Sequence, residues 1–534
     1  MSFSLTKPFN SLATPTVIPV ELNDTDIDRM ITRILEMAVK RGRVASSRTD
    51  TRAYYHYLTK LQNSDKLVGF DSERGRDILD GWVRASILKE ERLGLRRSDL
   101  QMGYIRPLTI AAYRSGLPKT ASRNRRADAL TYQAVLRVLE SAGSANPTAE
   151  AEGLFVSTFG QGVDLGVSPW HQPRYDGTTP IDIDTLLALR FIEGFDGSQN
   201  LTRERQGVPL PVPQAAEPIG HDLVAFLRAY GPSMPVAEAF AHVSAVIALR
   251  LFQLPLITAR VLRGLLSGEP VDLSANQSEM YCDFVRRRGS ASDEISRMAV
   301  IRDLEVMRTF FRDRLLIRAI SEVVPVINAQ VSDDSAEQLL ADLAGLTSDP
   351  AAEIALGLQL NTIYASLDED SEGRTFIDDL RKTPGLTQID RLSAVLVEGL
   401  RGRGLENQVK WFHSTGGITK SYGILSGNLR ARSTWRYAPS DEVLTTLLSL
   451  CFTDNAGQTV RDKLPIREVL RRLESRFGVL IDRPPVSLDS ADTRAGAAEN
   501  LTAFTRQLKL LGCFEGLSDD FSAQFVTNPR GAYK

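Results

Sequence analysis

Apolar residues recur three and four positions apart over most of this chain, and that spacing constrains the fold more than any other feature. Within residues 26–41, six apolar side chains share one helical face: Ile27, Met30, Ile31, Ile34, Leu35 and Val39. The same period recurs in residues 127–141, 236–265, 293–329 and 388–400, whereas alternating strand patterns are few and short. The sequence therefore predicts a mainly α protein. Pro325 is expected to kink or end the long 293–329 helix near Val324.

The chain has 534 residues, which is too long for one ordinary hydrophobic core. We therefore expect a multidomain helical protein with an irregular middle segment rich in Pro and Gly, in which residues 185–193 form the one clear helix. The predicted units are an N-terminal helical domain (1–142), an irregular connector (143–216), a central helical domain (217–405), a basic aromatic-rich segment (406–438) and a winged-helix-like domain (439–534).

The cysteines and the most apolar stretch limit the cellular setting. Cys282, Cys451 and Cys513 lie far apart without a C-x-x-C pair, so we expect buried thiols instead of a zinc site. The apolar stretch 243–257 contains Arg250 and falls short of the roughly 20 residues that a bilayer requires. No apolar leader appears in the first twenty residues. We expect a cytoplasmic protein without a membrane segment.

The sequence contains none of the common catalytic motifs. The five histidines form no H-E-x-x-H motif and no pairing with cysteine, and neither a G-x-S-x-G elbow nor a G-x-G-x-x-G loop occurs. The expectation is a protein that is not an enzyme, with no catalytic residues, no metal site and no cofactor.

Charge is segregated along a chain whose net charge is only −2. Residues 319–373 contain eleven acidic residues and no Lys or Arg, while residues 407–440 contain five cations and no acid. Such segregation indicates two surfaces with different partners, or an acidic face that covers a basic one within the protein.

The acid-free block interleaves its cations with aromatic residues. Lys and Arg side chains neutralise phosphates, and aromatic rings stack on exposed bases. The alternative is a hairpin that packs its rings inward and leaves its charges solvated. The candidate nucleic-acid-binding residues of this block are Lys410, Trp411, Lys420, Tyr422, Arg430, Arg432, Trp435 and Arg436.

The C-terminal segment has the layout of a winged helix. Helices are predicted over residues 442–452, 465–477 and 497–511, followed by residues 513–519 and 522–527 as a wing. The third helix offers Arg506 and Lys509 as further candidate DNA contacts. The same fold also serves as a protein–protein module, so DNA binding does not follow from the fold.

Two stretches of this segment resemble accessory, non-catalytic proteins of bacterial anti-phage defence operons. They are residues 435–441, which read W-R-Y-A-P-S-D and are followed by Leu444-x-x-Leu-Leu, and residues 470–478, which read L-R-R-L-E-S-R-F-G. The resemblance covers about the last hundred residues. It implies an accessory subunit that works with partner proteins of the same operon, such as an ATPase or nuclease.

Three hypotheses follow for the function. The first is a non-enzymatic adaptor of a bacterial multiprotein system, in which the basic block and the terminal module contact DNA. The second is a scaffold that binds protein partners without nucleic acid. The third is a divergent nuclease with an active site in the irregular middle segment.

Overall fold

A computed structural model of the chain shows a predominantly helical protein. Helix accounts for 62% of the structure described, which confirms the mainly α prediction. The described residues are 3–45, 58–59, 62–63, 68–86, 88–89, 104–105, 109–112, 124–165, 174–193, 201–204, 207–268, 279–454, 456–516 and 524–531.

Fifteen α-helices lie within these residues. They are α1 (Ile27–Val39), α2 (Glu73–Ser86), α3 (Ala127–Ser141), α4 (Pro147–Phe159), α5 (Ile183–Glu193), α6 (Pro213–Tyr230), α7 (Val236–Ser267), α8 (Ala291–Ile327), α9 (Ala336–Gly345), α10 (Pro350–Ser366), α11 (Glu372–Lys382), α12 (Gln388–Thr415), α13 (Asp441–Cys451), α14 (Ile466–Phe477) and α15 (Ala491–Leu510).

The strands are short and form small sheets. They are β1 (Arg43–Ala45), β2 (Leu88–Lys89), β3 (Tyr104–Ile105), β4 (Val163–Asp164), β5 (Arg174–Tyr175), β6 (Leu201–Glu204), β7 (Met280–Tyr281), β8 (Leu425–Asn428), β9 (Ala431–Tyr437), β10 (Lys463–Pro465), β11 (Val479–Leu480), β12 (Phe514–Gly516) and β13 (Gln524–Thr527). Antiparallel pairs join β1 to β6, β2 to β3, β4 to β5 and β8 to β9, and β7 pairs with β11 in parallel.

Helix α7 is the centre of the core. It is the one helix in the described chain that is long and apolar enough to cross a membrane, yet 83% of its apolar window is buried inside the fold. Helices α6, α8, α12 and α13 pack around it. A helix that is apolar on all sides is expected in this position, because every side meets another helix.

Helix α8 is the longest element and carries the residues described below. Ser290 caps its start, since its hydroxyl accepts a hydrogen bond from the Asp293 amide at 3.2 Å. It ends at Ile327, two residues beyond Pro325, with Asn328 in the left-handed conformation. The expected end near Val324 is therefore wrong by one turn. A proline in the last turn removes only one hydrogen bond, which the packed helix tolerates.

The irregular middle segment contains a helix that the sequence analysis does not predict. Helix α4 begins at Pro147, with the Asn146 side chain accepting a hydrogen bond from the Ala149 amide at 3.1 Å. A proline at the first helical position lacks only an amide that has no partner there in any case. Helix α4 packs against α1, α3 and α6, and its buried residues belong to one continuous core cluster that extends from Leu5 to Val526.

The C-terminal segment combines three helices with a three-stranded antiparallel sheet. The order along the chain is α13, β10, α14, β11, α15, β12, β13. Three of these strands form the sheet, in the order β10–β13–β12, and β11 pairs with β7 outside it. The segment between β12 and β13, assigned to the wing from sequence, lies outside the described residues. The winged helix accordingly stays a prediction.

A buried charge network fixes this segment to the core. The Asp222 carboxylate accepts hydrogen bonds from Arg250 Nε at 2.7 Å and from Arg476 Nε at 2.8 Å. Burial opposes ionisation of Asp222, but the two arginines outweigh it and lower the pKa of this carboxyl. Three helices, α6, α7 and α14, are joined at this point.

Candidate nucleic-acid interface

The aromatic residues of the acid-free block lie in the core. Trp411, at the end of α12, is 0% exposed and donates its Nε1–H to the Leu251 carbonyl at 3.1 Å. Trp435, on β9, is 1% exposed and donates to the Asn428 carbonyl at 2.9 Å. Tyr422 is buried as well, and burial raises its pKa. Direct stacking of these three rings on bases is thus the wrong prediction, and the inward-packed hairpin describes the fold.

Four of the five cations in the block do face solvent. Lys410 is exposed on α12, with its Nζ 3.4 Å from Asn407 Oδ1. Arg432 pairs with Glu406 at 2.7 Å, which holds β9 against α12. Lys420, in the turn before β8, and Arg430, at the tip of the β8–β9 hairpin, are exposed and form no ion pair within the described chain.

Arg436 is the exception, because two buried carboxylates surround it. Its Nε lies 3.6 Å from Asp283 Oδ2 and 3.6 Å from Asp293 Oδ1, and both carboxylates are almost completely buried. Burial raises the pKa of Asp283, although Arg436 and the Ser292 hydroxyl favour its ionised form. Arg436 therefore stabilises the start of α8. Because the two carboxylates compensate its positive charge, we do not expect it to bind a phosphate.

The structure adds a cationic turn that the sequence analysis missed. Residues 286–288 are three consecutive arginines just before α8, and all three are exposed. Arg286 donates to the Pro439 carbonyl at 2.9 Å, and Arg287 pairs with Glu499 of α15 at 3.1 Å. Arg288 has no ion-pair partner within the described part of the chain. The run of arginines is visible in the sequence, but its neighbours lie about 150 to 210 residues further along.

This turn connects the hairpin to the C-terminal helices. On one side, Arg297 in the second turn of α8 reaches the Ser433 carbonyl of β9 at 3.5 Å. On the other, Arg286 lies 3.6 Å from Asp441, which also accepts a hydrogen bond from Gln507 of α15 at 2.9 Å. The predicted basic block and the predicted third helix thus share one continuous surface, although they are far apart in sequence.

The two candidate residues of α15 differ in their surroundings. Arg506 is exposed and forms no ion pair within the residues described. Lys509 is exposed too, with its Nζ 5.2 Å from the centroid of the Phe514 ring. The opposite face of α15 packs on α8. Arg506 is thus the freer of the two.

We call the exposed cations that surround this junction the basic surface. Its three nearby acids, Glu406, Asp441 and Glu499, each lie beside an arginine. Cations without such a partner attract phosphate oxygens most strongly, because no ion pair has to be broken first. The members of the basic surface are Arg286, Arg287, Arg288, Lys410, Lys420, Arg430, Arg432, Arg506 and Lys509.

One carboxylate of the acidic block, that of Glu353, contacts α12, but it does so far from the basic surface. Glu353 accepts hydrogen bonds from the backbone amides of Gln388 and Ile389, at the start of α12. Lys410 lies 22 residues further along the same helix, which corresponds to about 33 Å at 1.5 Å per residue. Glu353 therefore does not cover Lys410, and an intramolecular cover by other acids of the block stays a hypothesis.

The remaining predictions concern the cysteines and metal sites. All three cysteines are free and buried, as expected. Among the residues described, no group of three or more His, Cys, Asp or Glu side chains is placed to hold a metal ion.

Comparison with known proteins identifies the family. A family model described as methylation-associated defense system protein MAD7 matches residues 8–530. No curated protein and no solved structure matches the chain. The match extends over almost the whole chain, so the restriction of the defence resemblance to the last hundred residues is wrong, while the defence assignment itself is confirmed. This chain belongs to the family of methylation-associated defense system protein MAD7.

Proposed function

We propose that this protein is a DNA-contacting adaptor subunit of its defence system and carries out no catalytic step of its own. One observation carries the proposal. Four solvent-exposed cations, Arg288, Lys420, Arg430 and Arg506, have no ion-pair partner within the described residues and come from four separate segments. Neighbouring residues of these segments contact one another around the start of α8. Clustering like charges has an electrostatic cost that bound phosphates remove.

The contacts of the aromatic residues define how DNA would be held. Because the rings are buried, the hairpin offers DNA its cations and backbone, so the binding is mainly to phosphates. Such contacts position a protein on DNA without reading sequence, which suits an adaptor whose partners supply recognition. Duplex binding is expected to exceed single-strand binding, since no exposed ring of the hairpin is available for stacking.

The C-terminal segment supports the same reading. Its three helices and its β10–β13–β12 sheet support the proposal that this segment acts as a winged helix, in which α15 would be the recognition helix. In this proposal Arg506 and Lys509 contact DNA from the exposed side of α15. The same fold also serves as a protein–protein module, so the role of α15 in this proposal rests on its two exposed cations.

Membership of a defence-system family supports partner proteins as well. We propose that these are proteins of the same operon, such as an ATPase or nuclease, and that the adaptor brings them to DNA. The exposed face of α10 favours protein contact, because Ile354 and Leu358, one turn apart, are 67% and 59% exposed. The exposed apolar face of α10 supports a second candidate function, a protein scaffold that does not bind nucleic acid.

Binding of labelled duplex DNA at several salt concentrations tests the proposal. In the test variant, Arg288, Lys420, Arg430 and Arg506 are all replaced by Glu. In the matched control, four exposed cations away from the basic surface, Arg74, Arg137, Arg308 and Lys382, are replaced by Glu, so both variants have the same net charge.

The expected result is weaker binding by the test variant only. At about 0.1 M salt the test variant should bind at least about 100-fold more weakly, and its log–log salt slope should fall by about 0.9 for each phosphate that the protein no longer neutralises. Equal weakening in both variants would mean a non-specific charge effect. A wild-type protein with no salt dependence, or no measurable DNA binding, would leave the scaffold as the better description.

Pull-down of operon partners after nuclease treatment separates the two candidate functions. A scaffold keeps its partners when DNA is digested, and a complex bridged only by DNA loses them. Incubation of the purified protein with plasmid DNA and divalent metals tests the third hypothesis, because a divergent nuclease would nick or linearise the plasmid.

A further inference from the structure

Arg314 is a buried cation whose charge has no carboxylate partner. It lies in the second half of α8, and its side chain is 3% exposed. No ion pair joins it to a carboxylate of the described chain, and burial, together with the charge of Arg318, lowers its pKa to about 9. A buried charge without an opposite charge is strongly destabilising.

The hydrogen bonds of Arg314 are also incomplete. A guanidinium group has five N–H donors. Nη1 lies 3.4 Å from Thr14 Oγ1 and 3.5 Å from the Leu12 carbonyl oxygen, both at the long end of hydrogen-bond distances. Nε is buried without a hydrogen-bond partner, and the guanidinium carbon lies 5.3 Å from the centroid of the Phe311 ring. Such a group in a folded protein requires an explanation, and a missing ligand is one of the few available.

Arg314 faces a cavity of about 410 Å³ between the N-terminal arm, residues 11–22, and helices α8 and α12. The walls include Ile18 and Val20 from the arm and Asn407 from α12. This volume exceeds that of a single inorganic ion and lies within the range of about 300–1,000 Å³ found for small-molecule sites.

A second arginine without a partner lines the same cavity. Arg126, directly before α3, is exposed, has a left-handed φ of 67° and forms no ion pair within the part of the chain described. The neighbouring Arg125 forms ion pairs with two acids, with Glu21 at 2.9 Å and with Asp24 at 3.0 Å. Glu21, which also lines the cavity, is therefore paired with Arg125 and not with Arg126 or Arg314.

We propose that this cavity binds a small organic phosphate, with the phosphate group held by Arg314 and Arg126. Two unpaired arginines require close to two negative charges, which a phosphate monoester supplies at neutral pH and a single carboxylate does not. The apolar part of the arm, around Ile18 and Val20, contacts the remainder of the ligand. Asn407 of the cavity wall lies 3.4 Å from Nζ of Lys410 on the basic surface, so the two sites adjoin. The test of the cavity uses mononucleotide and phosphate probes without DNA, so it does not depend on DNA binding.

Calorimetric titration of the full chain with adenosine monophosphate, inorganic phosphate and adenosine tests this proposal. The variants are Arg314→Lys and Arg126→Ala, and Arg401→Ala, exposed on α12, is the control. Arg126→Ala removes a solvent-exposed side chain, so it keeps the test valid even if the Arg314 variant fails to fold.

We expect the monophosphate to bind most tightly and adenosine not at all. Inorganic phosphate binds more weakly than the monophosphate if the arm contacts the organic part, as proposed. Arg126→Ala should weaken binding by on the order of tenfold, Arg314→Lys by at least that factor, and Arg401→Ala should have no effect. The proposal is overturned if neither phosphate probe binds at about 10 mM, if adenosine binds as tightly as its monophosphate, or if Arg126→Ala binds like the wild type.

Discussion

The phenolic oxygen of Tyr437 lies 2.5 Å from Oδ2 of Asp303, and both side chains are buried. This bond joins the last residue of β9 to the middle of α8. Burial and the Asp303 charge raise the pKa of Tyr437 far above its usual range, so the hydroxyl keeps its proton and donates it. The hairpin that carries Arg430 and Arg432 is thus fixed to α8 through its buried end.

Replacing Tyr437 by Phe should lower the free energy of unfolding by about 1.5–3 kcal/mol, because a buried carboxylate loses a donor. Urea unfolding measures this decrease. The control is Tyr364→Phe, which removes a similar bond to Asp378, 3.1 Å long and only partly buried. Its cost should stay below about 1 kcal/mol. Equal decreases in unfolding free energy for the two variants would show that burial does not strengthen the contribution of the Tyr437–Asp303 bond.

Arg436 and Arg288 should respond in opposite ways to the same substitution. Arg436→Met leaves Asp283 and Asp293 without their shared cation, and we expect a decrease of about 2 kcal/mol in unfolding free energy because about a fifth of the Arg436 side chain is exposed. DNA affinity of the folded variant should be unchanged. Arg288→Met should change stability by less than about 0.5 kcal/mol and weaken DNA binding.

Urea unfolding and DNA titration of both variants check this pair of expectations. If Arg436→Met weakened DNA binding without a decrease in stability, Arg436 would belong to the basic surface after all. If Arg288→Met bound DNA like the wild type, the arginine turn would have to be removed from that surface.

Tryptophan fluorescence should be insensitive to DNA at the hairpin. A variant that keeps only Trp435, with Trp82, Trp170 and Trp411 replaced by Phe, should show the blue-shifted emission of a buried indole. Saturating DNA should leave that emission unchanged, because the ring is 1% exposed and its N–H is bonded to the Asn428 carbonyl. Strong quenching by DNA would indicate stacking and contradict the buried arrangement.

The sequence predicts the helices well because a period of three to four residues is a local property. It also shows which residues of the acid-free block are cations and which are aromatic. It does not show that Trp411 and Trp435 point inward, because their partners, the Leu251 carbonyl and the β8–β9 turn, are set by tertiary packing. Nor does it show that Arg436 is neutralised, since Asp283 and Asp293 precede it by more than 140 residues.

The arginine run at residues 286–288 illustrates the opposite case. Its charge is plain in the sequence, yet its importance depends on lying beside Asp441 and Glu499. When charge is summed over a sequence window, the acids at the start of α8 offset the three arginines, so the window shows no basic patch. Only the folded chain brings this turn, the hairpin and α15 to one surface.

His242 makes the stability of the fold depend on pH. The ring is 4% exposed, its Nδ1 lies 2.7 Å from Thr446 Oγ1, and Nε2 accepts a hydrogen bond from Arg530. Because the Thr446 hydroxyl donates to the Glu442 carbonyl at 2.6 Å, Nδ1 carries the ring proton and donates to Thr446. Burial, followed by the charge of Arg530, lowers the pKa of His242 from 6.5 to about 3.

The folded protein thus keeps His242 neutral where the unfolded chain binds a proton. Stability is complete above the unfolded pKa of 6.5 and falls as pH drops from there towards about 3, by about 1.4 kcal/mol for each pH unit. Between pH 6.5 and about pH 5 the contribution is about 2 kcal/mol. A glutamine at this position donates and accepts in the same way but does not titrate, so His242→Gln should remove this part of the slope.

Urea unfolding of both proteins at several pH values measures the difference, and other groups that titrate, His413 among them, cancel between the two. Parallel stability curves for the wild type and His242→Gln would mean that the ring takes up a proton in the folded state, against the Arg530 charge.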